Sequence, residues 1–455
     1  MARVTRLLLA SSLLLAPVTV RAQDPAPPPA PEPTQPEART TGLPSQLAWT
    51  FNFDAGWGNF GFQNSLYNNP KEGVEENLSD QWFEGYVKPA LSGAYTGGKG
   101  ELYGKVSAVG ERTYGSVPDA FGEDVSSFQA EDLNVGWRSG NSLERFGENG
   151  VDLTIGRAQY QLGNGFLLYD GASEGGSRGG YWTNARKAFQ FAAIGRFKPG
   201  NHKVEAFYLD RDELPESDSG SRLWGVNYEY SFSENSTVGA TYMKWYADSA
   251  IKPERDGLNV YDFRAFVTPL PSLEDLSVEA EYAHEDNGDA LDSNGWYLQG
   301  AYQLSGITWK PKISYRYAFF EGDDVTTTKN EAFDPLFLGF NDWGTWWQGE
   351  IAGEYFLSNS NLTSHEIRVH VTPTAAVDTG LIFFSFGLDH PASFAPGALA
   401  KDVATELDWY TEWKINENFT LTLLAAYADP GKAVQQAFDR TKNFTYGMAY
   451  VAYSF

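Results

Sequence analysis

The sequence contains no cysteine, and it has only five histidines and three methionines among its 455 residues. A chain without thiols can form neither a disulfide framework nor a thiolate metal site, and it has no cysteine nucleophile. The histidines do not occur in pairs with the spacing of zinc ligands. We therefore expect no catalytic residues, no bound metal and no cofactor, and we interpret the chain as something other than an enzyme.

Long hydrophobic runs are also missing from most of the chain. Mean hydropathy is −0.40, and beyond the N-terminal region no segment reaches the roughly 18 apolar residues of a membrane-spanning helix. Basic residues are outnumbered, and the formal net charge is −25. An acidic chain is a poor partner for nucleic acid. Acidic loops can instead face lipopolysaccharide through bridging divalent ions, or they can simply keep the exposed loops soluble.

The N-terminal region predicts export. Arg3 and Arg6 precede the apolar segment 7–17, and small residues precede Gln23, as in a cleaved secretory signal peptide over residues 1–22. Residues 23–46 are rich in proline, which removes amide donors and favours an extended chain. We interpret this stretch as a periplasmic linker and residues 47–455 as the folded domain.

Glycine, aromatic residues and alternating patterns are abundant instead. The chain has 46 Gly, 14 Trp, 25 Tyr and 30 Phe. Apolar and polar residues alternate over many short segments, for example where Leu407 and Trp409 flank Asp408. A period of two indicates β-strands, and strands in lipid must close on themselves because lipid offers no hydrogen bonds. Charges within the strands favour a water-filled interior over a dry sandwich core.

The C-terminus strengthens this interpretation. Tyr453 and Phe455 share one face of a final strand that ends in phenylalanine. This pattern resembles the recognition signal for the outer-membrane barrel-assembly machinery. We therefore predict an all-β, transmembrane antiparallel β-barrel in the outer membrane of a Gram-negative cell, with its surface in contact with lipid and lipopolysaccharide.

Short and long connections alternate along the chain, and they predict about 18 strands. Segment 345–357 would make a nineteenth strand, but an odd count is incompatible with both chain ends lying in the periplasm. We therefore place it in one long loop, residues 322–361, folded into the lumen. Its predicted constriction residues are Trp343, Trp346, Trp347 and Glu350. A hydrophobic cap over the barrel mouth is the alternative.

A basic ladder is predicted inside the barrel. By strand parity the inward cations are Arg196, Arg264, Lys310, Lys312, Arg316 and Arg368. Repeated weak cationic sites suit the conduction of an anion. Many carboxylates share the inward faces, so pairing across neighbouring strands is the competing interpretation.

Arg157 has the parity of the lipid face, where arginine costs about 2–4 kcal/mol at the midplane. We expect a bulge near Gly156 to turn it inward. The alternative is a position at the barrel rim.

Three segments resemble the alginate export family: residues 150–171, residues 179–197 and residues 342–373. The resemblance implies a monomeric eighteen-stranded barrel that exports an anionic uronate polymer through an arginine-rich lumen with occluding loops. Arg157 and Arg186 match recurrent positions of the family. Inward carboxylates such as Glu406 and Glu412 give this lumen a more mixed charge.

The function we expect is therefore passage or export of an anionic oligo- or polysaccharide or a related solute, gated by the long loop. A general porin for small solutes is the alternative. A barrel enzyme acting on lipid, or an adhesin, is less favoured.

Overall fold

Eighteen antiparallel strands form a closed barrel. The computed structural model describes residues 47–64, 79–97, 99–115, 124–270, 272–339, 348–353, 357–395, 397–439 and 441–455. Each strand pairs with its neighbours in sequence, and β1 pairs with both β2 and β18, which closes the ring. The predicted fold class and strand number are confirmed.

The first nine strands are β1 (Leu47–Gln63), β2 (Ser79–Gly97), β3 (Gly100–Gly115), β4 (Val125–Arg138), β5 (Val151–Ala158), β6 (Phe189–Phe197), β7 (His202–Asp210), β8 (Arg222–Ser233) and β9 (Ser236–Tyr246). The other nine are β10 (Asn259–Val267), β11 (Leu276–Asp286), β12 (Asp292–Gln303), β13 (Lys312–Phe320), β14 (Leu362–Thr374), β15 (Val377–Gly387), β16 (Asp402–Lys414), β17 (Phe419–Pro430) and β18 (Phe444–Ser454).

Helical structure in the described ranges is confined to the connections. The α-helices are α1 (Pro391–Phe394) and α2 (Lys432–Phe438), and Gly349–Gly353 forms a π-helical turn. Three-residue 3-10 turns occupy Glu144–Phe146, Gly176–Arg178, Pro215–Ser217 and Gly288–Ala290. The described residues of segment 345–357 therefore form no nineteenth strand, since Gly349–Gly353 is helical.

None of the described helices is long and apolar enough to cross a membrane.

The alternation in sequence becomes two different barrel surfaces. In β16, Leu407, Trp409 and Trp413 are exposed on the outer face, whereas Glu406 and Asp408 are buried on the inner face. Lipid favours the apolar outer face and water inside the barrel tolerates the polar one. The alternation of residue types within the strand is therefore sufficient to predict which of its faces is directed inward.

The start of β1, the C-terminus and the short turns lie at one end of the barrel. The backbone N–H of Phe53 donates to the carbonyl of Phe455, and the reverse bond is also 3.0 Å long. The ring of Tyr453 packs against Phe419 with centroids 4.8 Å apart. By the rule for such barrels this end is periplasmic. The long connections, residues 159–188 and residues 321–361, start from the opposite, extracellular end. Residues 1–46, which include the predicted signal peptide and linker, lie outside the described residues.

Candidate channel lumen

Residues 159–188, the connection from β5 to β6, cross the barrel interior. At one side, Asn164 Nδ2 donates to the hydroxyl of Tyr297 in β12 at 2.6 Å. At the other, the backbone N–H of Gly180 donates to Thr113 Oγ1 in β3 at 2.9 Å. Strands β3 and β12 are nine positions apart in a ring of eighteen, so these contacts lie on opposite walls.

Residues 333–339 and 348–353, in the connection from β13 to β14, also lie inside the barrel. The ring of Phe337 contacts Trp245 of β9, with centroids 4.7 Å apart. The backbone N–H groups of Ile351 and Ala352 donate to the carboxylate of Glu406 in β16 at 2.7 and 2.8 Å. Strand β9 is seven positions from β16, so this loop also spans much of the lumen.

Of the four predicted constriction residues, only Glu350 can be placed. It is fully buried in the π-helical turn, and its backbone N–H donates to Asp408 Oδ2 at 3.3 Å. Trp343, Trp346 and Trp347 lie outside the described residues.

The two loops hydrogen bond to each other. The N–H groups of Tyr169 and Asp170 donate to the carbonyl of Phe337 at 2.9 and 3.0 Å, and Gly339 N donates to Gly165 O at 3.0 Å. We call residues 159–188 together with residues 333–339 and 348–353 the two-loop plug. The sequence analysis predicted that only the long loop of residues 322–361 folds into the lumen. A signal for the earlier loop was its length, since loops longer than about 15 residues are often functional.

Carboxylates of the barrel wall bind the backbone of the first loop. Glu84 Oε2 accepts hydrogen bonds from the N–H groups of Trp182 and Thr183 at 2.8 and 2.9 Å. Glu131 Oε1 accepts from Lys187 N and Ala188 N at 2.7 and 3.1 Å. Each carboxyl oxygen thereby accepts hydrogen bonds from two backbone donors that would otherwise be buried without a partner. Several inward acids therefore anchor the plug, in addition to the cross-strand pairing that the sequence suggested.

Three arginines converge on Asp212, in the connection from β7 to β8. Arg178 Nη2 lies 2.8 Å from Asp212 Oδ1, and Arg157 and Arg186 both contact Oδ2. Burial disfavours the carboxylate, but the charge of Arg186 and the contacts of Arg157 and Arg178 outweigh it and lower the pKa of Asp212 to about 2. Arg186 is only 1% exposed, so it lies inside the plug instead of facing lumen water.

Arg157 is turned inward by a bulge. The register between β5 and β6 shifts between Gly156 and Ala158, and Gly156 has φ +122, a conformation that suits glycine. The guanidinium consequently reaches Asp212 and donates to the carbonyl of Glu131 at 3.2 Å. Its side chain remains 20% exposed.

Most of the predicted basic ladder is paired within the wall. Arg264 contacts Glu229 at 2.8 Å, Arg316 is paired with Glu366, and Arg196 Nε lies 3.1 Å from Glu205. Arg368 is buried and donates to the hydroxyl of Tyr410 at 3.0 Å. For Arg196, Arg264 and Arg316 the competing prediction of pairing with wall acids describes the contacts. The contact of Arg368 is instead with a neutral hydroxyl.

Lys310 does not belong to the ladder. Strand β13 begins at Lys312, and Lys310 lies in the preceding turn, exposed and with φ +43. The sequence extended the alternating pattern across a proline, Pro311, whose missing N–H cannot join the strand ladder.

Below the plug, at the periplasmic end, lies a cavity of about 590 Å³. Its charged lining residues are Lys203, Glu229, Glu234, Arg264, Glu274, Glu279 and Lys312. We call this cavity the periplasmic vestibule.

Along the adjoining wall, cations are more exposed than the acids that pair with them. Lys105 is 35% exposed and its partner Asp132 is 3% exposed. Lys203 is 31% exposed and Glu205 is 2% exposed. The same order holds for Arg196 and Glu205. At each of these pairs the cation therefore lies nearer to the lumen water than its acid partner, although the chain as a whole is acidic. The sequence analysis missed Lys105 and Lys203, although strand parity in β3 and β7 was available as a signal.

Two further kinds of site in the lumen concern metal binding and nucleophilic serines. Within the described ranges no three His, Asp or Glu residues come together as a metal site. Gly-x-Ser-x-Gly sequences surround Ser173 and Ser177. The hydroxyl of Ser177 donates to Glu216 at 2.9 Å, and that of Ser173 has no hydrogen-bond partner among the described residues. Neither serine is thus activated by a histidine.

An eighteen-stranded outer-membrane barrel with loops folded into a charged lumen is a porin-like channel. The model of the family described as Alginate export matches residues 123–448. The chain belongs to this family of outer-membrane channels. A comparison with curated proteins finds no significant match.

Solved porins share the fold at low identity. A BenF-like porin from Pseudomonas fluorescens Pf-5 has a TM-score of 0.57 and 11% identity, over 90% of this chain and 98% of that one. OprD from Pseudomonas aeruginosa has a TM-score of 0.54 and 12% identity, over 92% and 96%. OpdK from the same organism, crystallised with vanillate, has a TM-score of 0.52 and 13% identity, over 89% and 98%.

Proposed function

We propose that the chain is a passive channel for an anionic oligo- or polysaccharide, or a related solute, that moves between periplasm and exterior. The observation that carries the proposal is the exposure of Lys105, Lys203 and Arg196 in front of buried carboxylates. At these pairs a carboxylate-bearing sugar meets the cation before it reaches the acid behind it. Family membership supports export of a uronate-type polymer and a channel rather than an enzyme.

The pairing of these cations suits conduction better than tight binding. Each ammonium or guanidinium group already interacts with a wall acid, so a passing carboxylate competes for it and is held weakly. Weak sites in series allow entry and release, as conduction requires. The buried acids also fix the cations in position, which limits the entropy lost when a solute binds.

The two-loop plug is proposed to gate this pathway. Both loops are attached to the wall through carboxylates such as Glu84 and Glu406, and to each other through Phe337. Opening the barrel therefore requires both loops to move together. The unplaced residues Trp343, Trp346 and Trp347 are proposed to complete the constriction.

Passage of small anionic solutes is the second candidate. The hydrogen bonds between the loops favour it, because a joined plug leaves space for a small molecule more readily than for a polymer. OpdK, which has the same fold, was crystallised with vanillate, a small aromatic carboxylate. Recordings with monomeric and polymeric uronates distinguish the two candidates.

The remaining steps of the proposal concern biogenesis. We propose that residues 1–22 are removed as a signal peptide and that residues 23–46 remain as a periplasmic linker. The strand ending in Tyr453 and Phe455 is proposed to be recognised by the barrel-assembly machinery, and the assembled barrel is proposed to act as a monomer.

The test is single-channel recording of the refolded mature chain in a planar bilayer, with a salt gradient and added uronate oligomers. We expect anion preference and concentration-dependent block by the oligomers. The double variant Lys105→Gln/Lys203→Gln should lose much of both. The matched control is Lys252→Gln/Lys329→Gln, which removes two lysines that are each 45% exposed in extracellular loops.

An unchanged reversal potential in the Lys105→Gln/Lys203→Gln variant would contradict the anion pathway. Equal changes in this variant and in the control would mean that overall charge, and not this wall, sets the preference. Steady conductance without preference or block would favour a general small-solute porin.

A further inference from the structure

Aromatic side chains form a continuous belt on the outer face of β8 to β11, near the extracellular end. The ring centroids of Trp224 and Tyr242 are 5.6 Å apart, those of Tyr242 and Tyr261 5.4 Å, and those of Tyr261 and His284 6.3 Å. Aromatic girdles on outer-membrane barrels lie at the boundary between acyl chains and head groups. This belt therefore marks the head-group level of the outer leaflet.

Two cations lie side by side at this belt. In β8, Leu223 is buried on the inner face, so Arg222 lies outward, and it is exposed. In β9, Met243 and Trp245 are buried, so Lys244 lies outward.

Register makes Arg222 and Lys244 diagonal neighbours. Arg222 is opposite Tyr246, and Trp224 is opposite Lys244. Diagonal neighbours are about 7–8 Å apart, within reach of long side chains. Both cations can therefore contact one ligand group.

Neither cation forms an ion pair with a described residue. Lys244 Nζ donates to the carbonyl of Gly257 and to Asn259 Oδ1, both of which are neutral. Arg222 Nη1 donates to the carbonyl of Gly220 at 3.4 Å. Asp210, the register partner of Arg222 on β7, forms no ion pair with it but is close enough to interact with it electrostatically. Neighbouring like charges repel each other across a sheet, and an anion between them would remove that repulsion.

From this geometry we infer that Arg222 and Lys244 bind a phosphate group of lipopolysaccharide on the outside of the barrel. A phosphate offers several acceptor oxygens to a forked guanidinium and an ammonium group at once. It also lies at the level that the aromatic belt marks, while the flanking rings contact the lipid part of the same molecule. The site is on the opposite face of the wall from the lumen, so it is independent of the proposed channel function.

The test uses the full mature chain, refolded in detergent free of lipopolysaccharide. Binding of lipid A that carries both phosphates is compared with binding of enzymatically dephosphorylated lipid A, by tryptophan fluorescence titration and native mass spectrometry. We expect Arg222→Gln/Lys244→Gln to weaken binding of the phosphorylated lipid by about tenfold or more, as for loss of a charged hydrogen bond. Binding of the dephosphorylated lipid should not change.

Arg112→Gln is the matched control. Arg112 also lies exposed on the outer face near the extracellular end, but its register partners are Gly85 and Ser126. It has no cation beside it on those strands, and its loss should leave binding unchanged. The conservative variant Arg222→Lys/Lys244→Arg should retain most of the affinity. Heat-modifiable electrophoretic mobility shows which variants are folded.

Equal affinity for the two lipids in the wild type would overturn the inference. So would a double variant that folds and binds phosphorylated lipid A like the wild type. Conductance should be the same in the double variant and the wild type, so failure of this site and failure of the channel proposal remain distinguishable.

Discussion

The extracellular and periplasmic halves of the lumen contain the same residue types in different roles. In the extracellular half, the two-loop plug covers the wall, and buried acids such as Glu84 and Glu131 accept hydrogen bonds from loop amides. In the periplasmic half the wall borders the vestibule, and Lys105 and Lys203 are exposed in front of their acid partners. What covers a charged side chain decides whether it anchors the fold or meets the solute.

The physical difference is the dielectric environment. Charges covered by protein interact strongly and are costly to leave unpaired. Charges that face water are screened, and they can exchange one partner for another at little cost. The two halves therefore predict large effects on stability and opening from changes in the plug, and effects on ion selectivity from changes in the vestibule.

The largest effect, on single-channel conductance, is expected when most of the first loop of the plug is removed. Replacing residues 164–183 by a short Gly-Ser linker should raise single-channel conductance several-fold, because this loop connects opposite walls. It should raise conductance more than deletion of residues 334–356. Planar bilayer recordings of both variants measure this, and unchanged conductance after the first deletion would mean that solutes pass beside the loop.

Asp212→Asn, in the connection from β7 to β8 that contacts the plug, should be the most destabilising single change. It removes the acid that all three guanidinium groups of Arg157, Arg178 and Arg186 contact, at a cost of about 3–5 kcal/mol, although Arg186 keeps Glu131 and Glu174 at 3.9 Å. Asp218→Asn changes an exposed residue of the same connection. It should change the free energy of unfolding by no more than about 0.5 kcal/mol. Urea unfolding in micelles measures both.

The Asp212 effect should depend on pH with a defined sign. The pKa of Asp212 is lowered to about 2, below the value of about 3.9 in an unfolded chain. Its contribution to stability is therefore fully present above about pH 4 and is lost as the pH falls through 2. The difference between wild type and Asp212→Asn should shrink between pH 6 and pH 2, and a constant difference would contradict the assignment.

The ion pair between Arg255 and Asp334 should fix the second loop. Both donor–acceptor distances are 2.6 Å, and burial is outweighed by Arg255, which lowers the pKa of Asp334. A double-mutant cycle with Arg255→Met and Asp334→Asn should give a coupling energy of about 0.5–3 kcal/mol, and either single variant should increase current flicker. The exposed pair of Lys329 and Asp292 should couple by about 0–1 kcal/mol. Equal coupling energies in the two pairs would contradict a role of the Arg255–Asp334 pair in fixing the second loop.

Glu174, in the first loop of the plug, should give stability the opposite pH dependence to that of Asp212. Burial and the neighbouring Glu111 raise the pKa of Glu174 well above its usual value. An unfolded glutamate ionises near pH 4.3, so stability should fall as the pH rises from there toward the raised pKa. Glu174→Gln should therefore stabilise the protein at pH 8 and have no effect at pH 4, which urea midpoints at the two values measure. No gain at pH 8 would contradict the predicted burial cost.

The smallest effect is expected for the buried ion pair between Arg316 of β13 and Glu366 of β14. Arg316 and Glu366 are both almost fully buried, so replacing them together by Met and Leu should leave the reversal potential within error. Such paired replacements often preserve stability. A shift as large as that of Lys105→Gln would mean that the solute contacts this wall as well.

Strand parity predicted side-chain direction well where the strand is regular. Leu407, Asp408 and Trp409 lie on the faces that the alternation assigned to them. It failed at Lys310, where a turn replaces the strand. At Arg157 parity alone pointed to lipid, and a bulge at Gly156 reverses it. Period two is a local rule, and it holds only until an extra residue or a turn interrupts it.

The sequence by itself determined the closed eighteen-stranded barrel, its outer-membrane environment and its family, because alternation and turn spacing are local properties that repeat along the chain. Only the tertiary structure decided which charges face the lumen water. That outcome depends on residues 159–188 crossing to β3 and β12 and on their amides being bound by Glu84 and Glu131. Contacts between residues so far apart in sequence leave no periodic signal, since they depend on where the closed barrel places its opposite walls.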